Sequence, residues 1–253
     1  MKGWFSELQL PLSEGPKGWK PYWLHRGGSS CVTNLTCHVS ILSAGCTPHE
    51  LHKHAEEEIL FVLAGKPRLL VQEPSGTLIT HEAEAGSLAY YPGHTLHTLT
   101  NASDCPATYL MFKWTNDTSS TRSEGLPIQL HRCLPISDDG IRPGKSWRSQ
   151  RIFAGPTTWL DRLQCHTSTV NPGGGYEPHT DSYDVAFVLL SGTLETEAGT
   201  LNPFDVAYVE AGEPHGMRNV GPDQARYIVF EFERASHEDD SSVTISASGS
   251  DFE

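Results

Sequence analysis

The chain contains two copies of one sequence pattern, and this internal repeat constrains its fold more than any other feature. The segment LTCHVSILSAGCTPHELHKHAEEEILFVLAG, which begins at Leu35, resembles LQCHTSTVNPGGGYEPHTDSYDVAFVLLSG, which begins at Leu163, once a gap of a single residue is allowed. Further on, YYPGHTLHTLTN, from Tyr90, resembles YVEAGEPHGMRN, from Tyr208. A repeat of this length indicates two tandem domains with the same fold.

Strand signals dominate both copies. Short runs rich in β-branched and aromatic residues, such as EILFVLAG and ARYIVFEF, alternate with Gly, Pro, Asn and Asp. This pattern predicts an all-β fold of sandwiches or barrels. Only the first dozen residues and the segment HEAEAGS favour short helices. The limits of the repeat predict an N-terminal domain at 1–114, a connector at 115–145, a C-terminal domain at 146–234 and a disordered acidic tail at 235–253.

The charge and hydropathy of the chain limit the classes of partner that it can bind. The formal net charge is −13, from 18 basic and 31 acidic residues, without a cluster of Lys and Arg, and this argues against a nucleic-acid partner. No apolar run approaches the roughly 20 residues that span a bilayer, so no membrane contact is expected. The first residues lack the apolar core of a secretion signal, and the six cysteines form no Cys-x-x-Cys pair. These patterns predict a cytoplasmic protein with reduced thiols.

Histidines and a glutamate in the first copy have the spacing of metal ligands. Side chains alternate between the two faces of a strand, so His52, His54 and Glu58 share one face if the strand includes all three. A fourth donor on an antiparallel neighbour could complete the set, and His94 and His97 are both candidates. The repeat favours His97, because it matches a histidine in the second copy whereas His94 matches a glycine. The alternative is that these are surface histidines on an acidic loop.

With these residues in place, the chain resembles the cupin superfamily, and in particular its two-domain members, the bicupins. The first cupin motif is a glycine, a spacer and H-x-H-x-x-x-E-x-x-x-x-x-x-G, and it is matched, with one extra residue in the spacer, by Gly45, His52, His54, Glu58 and Gly65. The second motif, P-x-G-x-x-H-x-x-x-N, is matched by Pro92, His97 and Asn101, with His94 at the usual glycine position. The resemblance implies two tandem jelly-roll (double-stranded β-helix) barrels. It also implies a metal held by His52, His54, Glu58 and His97, with Fe(II) or Mn(II) favoured over Ni, Co, Cu or Zn.

The expected ligand set suggests a type of chemistry. Three imidazoles and one carboxylate on an octahedral ion leave two neighbouring positions open. These positions suit a substrate that chelates through two oxygens, or a substrate beside dioxygen. We therefore predict a mononuclear metal-dependent dioxygenase acting on a small oxygen-rich molecule in the N-terminal barrel. The alternatives are a redox-neutral isomerase, decarboxylase, lyase or hydrolase acting on a carboxylic or sugar acid, and a non-catalytic cupin that binds a small molecule.

The second copy departs from the motif. The first histidine survives as His179 and the last as His215, but Asp181 replaces the middle histidine and Val185 replaces the glutamate. Three interpretations stay open: a barrel that has lost its metal and keeps a structural role, a two-His-one-carboxylate site like that of non-haem iron oxygenases, or a polar ligand pocket without metal. The intact first copy is therefore predicted to carry the chemistry.

Other residues near the motifs receive weaker predictions. His38 and Asn101 are candidates for supporting contacts to the metal ligands. Glu57 is expected to be a charge that is either exposed to solvent or next to the metal ligands. A Cys-His pair at 37–38 recurs at 165–166, and alternation alone does not say which member of each pair faces the barrel interior.

Two strands of the repeats, ILFVL and VAFVLL, are apolar on both faces. Their outward faces must be covered by another layer, either the sister domain or a second subunit. We therefore expect close packing of the two domains and a homodimer.

Overall fold

The structure is a computed structural model that describes residues 2–8, 12, 14–15, 17–117, 125–132 and 145–234. Every regular element in these ranges is a β-strand, and no described segment is a helix that could cross a membrane. The strands are β1 (Gly3–Ser6), β2 (Trp19–Gly27), β3 (Asn34–Leu42), β4 (Glu57–Ala64), β5 (Arg68–Gln72), β6 (Leu78–Glu82), β7 (Leu88–Tyr91), β8 (His97–Thr100), β9 (Ala107–Thr115), β10 (Gln129–His131), β11 (Trp147–Gly155), β12 (Arg162–Val170), β13 (Gly175–His179), β14 (Asp184–Ser191), β15 (Leu194–Thr196), β16 (Gly199–Leu201), β17 (Val206–Val209), β18 (His215–Asn219) and β19 (Ala225–Glu233).

Both helix expectations are wrong where the chain is described. The segment HEAEAGS begins with the last two residues of β6 and continues into a turn, and the first dozen residues contain β1. The disordered tail predicted at 235–253 and much of the connector lie outside the described residues.

Each repeat forms a barrel of two sheets, as the all-β prediction with two jelly-roll barrels requires. The N-terminal barrel combines a six-stranded sheet of order β10-β7-β4-β9-β3-β2 with a three-stranded sheet of order β6-β5-β8. The C-terminal barrel combines a six-stranded sheet of order β1-β17-β14-β19-β12-β11 with a four-stranded sheet of order β13-β18-β15-β16. Strand β4 lies between β7 and β9, and β14 lies equivalently between β17 and β19, so the sequence repeat is also a repeat of topology.

Two short strands extend the six-stranded sheets at their edges. Strand β1 pairs antiparallel with β17 of the C-terminal barrel and places Trp4 opposite Tyr208. Strand β10, which lies in the connector, pairs antiparallel with β7 of the N-terminal barrel. Strand β1, although it precedes β2 in the chain, therefore extends a sheet of the second barrel.

The two six-stranded sheets pack against each other. One buried apolar cluster, which we call the inter-barrel core, contains side chains from both barrels, among them Phe112, Trp114, Phe230 and Phe232. The ring centroids of Phe112 and Phe230 are 5.7 Å apart, and those of Trp114 and Phe232 are 5.3 Å apart. The sister barrel is thus the layer that covers the outward apolar faces, and the homodimer stays a prediction.

Alternation along β4 separates this inter-barrel core from the barrel interior. Ile59 and Phe61 belong to the inter-barrel core, whereas Leu60 and Val62 belong to the apolar cluster inside the N-terminal barrel. The same alternation directs Glu58 to the interior and Glu57 to the other barrel.

A glycine ends each of these central strands because the chain bends there against a neighbouring backbone. Gly65 has φ +83° and Gly192 has φ +87°, a backbone conformation that residues other than glycine rarely adopt. A Cβ added at Gly65 would lie 2.6 Å from the Cα of Ala107, and one added at Gly192 would lie 2.6 Å from the Cα of Ala225. Both motif glycines are therefore required by the fold.

Candidate metal centres

Three histidines of the N-terminal barrel converge. His52 forms an isolated antiparallel bridge with His97, in which each amide donates to the other residue's carbonyl at 3.1 and 2.9 Å. The ring centroids of His52, His54 and His97 are 4.9 to 5.2 Å apart, and one possible ligand atom of each lies within 4.8 Å of the others. His94 is outside this group. It occupies a turn with φ 63°, where the second repeat has Gly212 with φ 81°.

Backbone carbonyls orient two of these imidazoles. Nδ1 of His97 lies 2.8 Å from the carbonyl of Thr95, and Nδ1 of His54 lies 3.1 Å from the carbonyl of Glu56. A carbonyl only accepts hydrogen bonds, so each ring carries a proton on Nδ1 and is left with Nε2 as its possible ligand atom. In both rings Nε2 faces Glu58, at 3.4 Å from His97 and 2.7 Å from His54.

Glu58 is the buried acid at the centre of this arrangement. It is 1% exposed, and its carboxylate also forms an ion pair with Lys113 of β9, the residue directly opposite it in the sheet. Burial by itself would raise the pKa of Glu58, but His54, His97 and Lys113 hold it well below its usual range. Nζ of Lys113 is in addition 3.2 Å from Nε2 of His54. Lys113 is not part of the sequence motif, although alternation along β9 places it on the same face as the buried Met111.

The supporting residues take different positions. In β3, His38 faces the barrel interior with Nδ1 3.0 Å from Oγ of Ser40, while Cys37 belongs to the inter-barrel core. Burial lowers the pKa of His38 to about 4. The Asn101 amide donates instead to the carbonyls of Leu42 and Cys105, at 2.9 and 2.8 Å. Asn101 therefore fixes a turn and does not orient an imidazole.

The prediction for Glu57 as a solvated charge or a neighbour of the ligands is wrong. This side chain is 0% exposed, and its Oε1 accepts a 2.7 Å hydrogen bond from the amide of Thr158 in the C-terminal barrel. Burial raises the pKa of Glu57, and polar contacts to Thr157 and Thr158 offset this in part. Glu57 is a residue of the contact between the barrels.

The C-terminal barrel contains an equivalent cluster. His179 of β13 pairs with His215 of β18, and together with Asp181 they form a second group with ligand atoms within 4.8 Å of one another. Oδ2 of Asp181 lies 3.6 Å from Nε2 of His179 and 3.3 Å from Nε2 of His215. The sequence predicted this set as the lesser of two sites, and the structure brings its three members together.

This second cluster opens into a large cavity. The cavity has a volume of about 740 Å³, and its lining includes the three residues of the cluster, Val185 and Glu231. Glu231 on β19 lies directly opposite Val185 in the sheet, at the position that Lys113 holds in the first barrel. We did not identify Glu231 from the sequence, although aligning the last strands of the two repeats would have found it.

Glu231 is part of a polar wall of this cavity. It accepts hydrogen bonds from Arg162 at 3.0 Å and from Gln164 at 2.9 Å, and Nδ1 of His166 is 3.4 Å away. Burial raises the pKa of Glu231, which Arg162 and Gln164 offset in part, and burial lowers the pKa of His166 to about 4. His166 thus faces the interior like His38, while Cys165 lies in the inter-barrel core.

The donors of the N-terminal cluster suit a divalent cation. Among the described residues, Nδ1 of His52, Nε2 of His97 and both oxygens of Glu58 are buried atoms that lack a well-aligned hydrogen bond. Leaving such atoms unsatisfied is unfavourable. Imidazoles combined with a carboxylate are ligands for Fe(II), Mn(II) and similar ions, so His52, His97 and Glu58, together with His54, fit the group that the sequence motif implies.

Comparisons with known proteins identify the family to which both repeats belong. A family model described as the cupin domain matches residues 38–113 and again residues 166–231. No protein of curated function matches the sequence.

Solved structures with similar folds are distant in sequence. A protein described as glyoxylate-induced from Pseudomonas aeruginosa has a TM-score of 0.68 and 15% identity, over 88% of this chain and 85% of its own. An oxalate decarboxylase from Lactobacillus farciminis has a TM-score of 0.58 and 14% identity, over 85% and 84%. A salicylate 1,2-dioxygenase from Pseudaminobacter salicylatoxidans has a TM-score of 0.59 and 16% identity, over 78% and 70%. At these identities the likeness is one of fold.

Proposed function

The chain belongs to the cupin family, and from this premise we propose that its N-terminal barrel is the active site of a mononuclear metal-dependent dioxygenase. The substrate is a small oxygen-rich molecule that binds through two oxygens. The observation that carries the proposal is the convergence of three imidazoles, His52, His54 and His97, beside the buried carboxylate of Glu58. Two structurally similar proteins are a dioxygenase and a decarboxylase by name. The first name supports a dioxygenase, and the second supports the redox-neutral alternative.

His52, His54, His97 and Glu58 would hold the metal, with Fe(II) or Mn(II) favoured. The ion would supply Lewis acidity and, in the case of iron, the electron path to dioxygen that side chains lack. The protein prepares the donors in advance. The carbonyls of Thr95 and Glu56 fix the rings of His97 and His54 so that Nε2 is the available atom.

Lys113 is the residue best placed to recognise the substrate. Its side chain is 24% exposed, and its ammonium group lies beside Glu58 and His54. A carboxylate or other anionic oxygen on the substrate can pair with this ammonium, because a cation at the edge of a buried site attracts negative charge strongly. Lys113 would therefore orient one end of the substrate while the chelating oxygens face the four ligands.

Apolar side chains fill much of the interior of the N-terminal barrel. The apolar cluster inside the barrel includes Leu60, Val62, Leu69 and Leu99, all at most 4% exposed. An apolar lining strengthens the electrostatic interactions of the few polar groups within it and protects reactive species from side reactions.

A metal-binding experiment with matched histidine variants tests the proposal. The full chain, stripped of metal and reconstituted anaerobically with Fe(II), should lose about one equivalent of iron with His97→Ala. It should keep its iron with His94→Ala, which removes a nearby histidine outside the cluster. Oxygen consumption should then be screened with β-diketones, catechols and α-hydroxy acids. Failure to bind any transition metal at the N-terminal site after reconstitution would refute the proposal.

A redox-neutral reaction on the same site is the second candidate, and the position of Lys113 favours it. An ammonium group beside the ligands can hold the carboxylate of an acid substrate and can donate a proton from Nζ. Isomerisation, decarboxylation, lyase chemistry and hydrolysis can each use a general acid of this kind. Substrate loss without matching oxygen consumption would favour this candidate over the dioxygenase.

A further inference from the structure

The two barrels differ in the charges around their clusters. In the first barrel Lys113 forms an ion pair with the carboxylate of the cluster. In the second barrel the equivalent residue is Glu231, and the nearby cation Arg162 contacts Glu231 and Glu233. Arg151 also lines the cavity, from the exposed surface of β11. The second cavity therefore carries two carboxylates of its own near the cluster, Asp181 and Glu231, without an ammonium group at the position of Lys113.

The orientation of the second pair of histidines points to a cation between them. Nδ1 of His179 lies 3.4 Å from the carbonyl of Glu177, and Nδ1 of His215 lies 3.2 Å from the carbonyl of Glu213. Each ring therefore donates a hydrogen bond from Nδ1 to a carbonyl, and the Nε2 of each ring points towards Oδ2 of Asp181. Nε2 of each ring is therefore the atom available to a cation that Asp181 also binds.

The distances suit donors that share one ion. Nitrogen and oxygen ligands at right angles around a first-row metal lie about 3 Å apart, because each is about 2.1 Å from the ion. Oδ2 of Asp181 is 3.3 and 3.6 Å from the two histidine nitrogens. Val185 lines the cavity at the position equivalent to Glu58 of the first barrel. The second cluster therefore has an apolar side chain where the first has its carboxylate ligand.

We propose that His179, Asp181 and His215 form a second, independent divalent-metal site of the two-histidine-one-aspartate type. Three protein donors leave three positions open on an octahedral ion, one more than in the first barrel. These open positions face the cavity of about 740 Å³. The ligand class is a first-row divalent ion that accepts imidazole and carboxylate donors. This site goes beyond the proposed function, which concerns only the first barrel.

Cobalt(II) titration of the metal-free full chain tests the second site. Co(II) binding is followed by calorimetry and by visible absorption, which reports the ligand environment. The parent chain should bind about two equivalents, and the variant His52→Ala/His54→Ala should bind about one with a distinct spectrum. Adding Asp181→Asn should weaken the remaining site by at least about 100-fold, a larger effect than the loss of a residue that only orients a ligand. Adding Glu231→Gln instead removes a carboxylate that lines the same cavity but is not a proposed ligand, and it should leave most of the binding intact.

The outcomes separate this inference from the proposed function. If the His52→Ala/His54→Ala variant binds no Co(II) while the parent binds one equivalent, the second site is refuted and the first is supported. If the variant and the parent both bind one equivalent with the same spectrum, the second site stands and the proposed function fails. Equal weakening by Asp181→Asn and Glu231→Gln would indicate diffuse attraction and would overturn the second site. If Asp181→Asn does not fold, His179→Gln replaces it, because the His179 side chain is 48% exposed, and loss of Co(II) is again the expected result.

Discussion

The pKa of His38 illustrates how the barrel interior acts on a single residue. His38 is 4% exposed, and burial lowers its pKa from 6.5 to about 4. Between these values the unfolded chain binds a proton that the folded chain does not, so stability falls as the pH falls from 6.5 towards 4. A lowering of this size corresponds to about 3 kcal/mol, of which about 2 kcal/mol is lost between pH 7 and pH 5.

The variant His38→Gln should remove this pH dependence. Its free energy of unfolding relative to the parent should rise by up to about 2 kcal/mol on going from pH 7 to pH 5. Urea unfolding of the metal-free chain at both values measures the difference. Ser40→Ala is the control, because it removes the hydrogen-bond partner of His38 and keeps the titrating ring. Identical pH dependence in His38→Gln and the parent would contradict the interpretation.

Motif spacing and the repeat predict much of the first site and less of its surroundings. They select His52, His54, Glu58 and His97 over His94, and the structure brings the three imidazoles together beside Glu58. Strand alternation is not the reason, because β4 begins at Glu57 and contains neither His52 nor His54. The expectation for Glu57 is wrong because the face opposite the ligands packs on the other barrel and not on solvent.

At the scale of elements, strand β1 shows where local sequence is a poor guide. Four residues are too few for a clear period, and the conformation of β1 comes from its pairing with β17, about two hundred residues away along the chain. Its Trp4 ring stacks on His25, at 5.0 Å between centroids, and on Tyr208, at 5.5 Å. One side chain of β1 therefore contacts both barrels.

Replacing this tryptophan should weaken the whole molecule. We expect Trp4→Ala to lower the free energy of unfolding by about 2 kcal/mol, less than the 3–5 kcal/mol of a fully buried aromatic residue because Trp4 is half-buried. Glu7→Ala, at an exposed position just after β1, should change it by less than about 0.5 kcal/mol. Chemical denaturation of both variants makes the comparison. An equal, small effect for the two would show that β1 contributes little to the fold.

At the scale of the whole molecule, two equivalent carboxylates connect the barrels reciprocally. Glu57 of the first barrel accepts from the amide of Thr158 in the second, and Asp184 of the second accepts from the amide of Cys31 in the first at 3.0 Å. Both acids are 0% exposed. The repeat aligns these two acids, but an alignment does not show that each reaches a loop of the other barrel.

The two acids should respond differently to substitution because their hydrogen bonds differ. Asp184 accepts hydrogen bonds from Ser29, Tyr208 and the amide of Ala211 as well as from Cys31. Asp184→Ala leaves these donors unsatisfied in a buried place and should lower the free energy of unfolding by about 3–5 kcal/mol.

Glu57 accepts fewer hydrogen bonds than Asp184. Its ionised form is therefore less stabilised in the folded chain, and its charge should oppose folding. Burial raises its pKa above 4.5, so the folded chain binds more protons than the unfolded chain and stability is lost as the pH rises through the raised pKa. Glu57→Gln keeps an acceptor for Thr158 and removes that loss. We therefore expect Glu57→Gln to be neutral or stabilising at pH 7 and to reduce the fall in stability between pH 4.5 and pH 7, as measured by urea unfolding at each pH. A large destabilisation by Glu57→Gln at pH 7 would show that the ionised carboxylate stabilises the contact, and the two barrels would then be joined by equivalent anions.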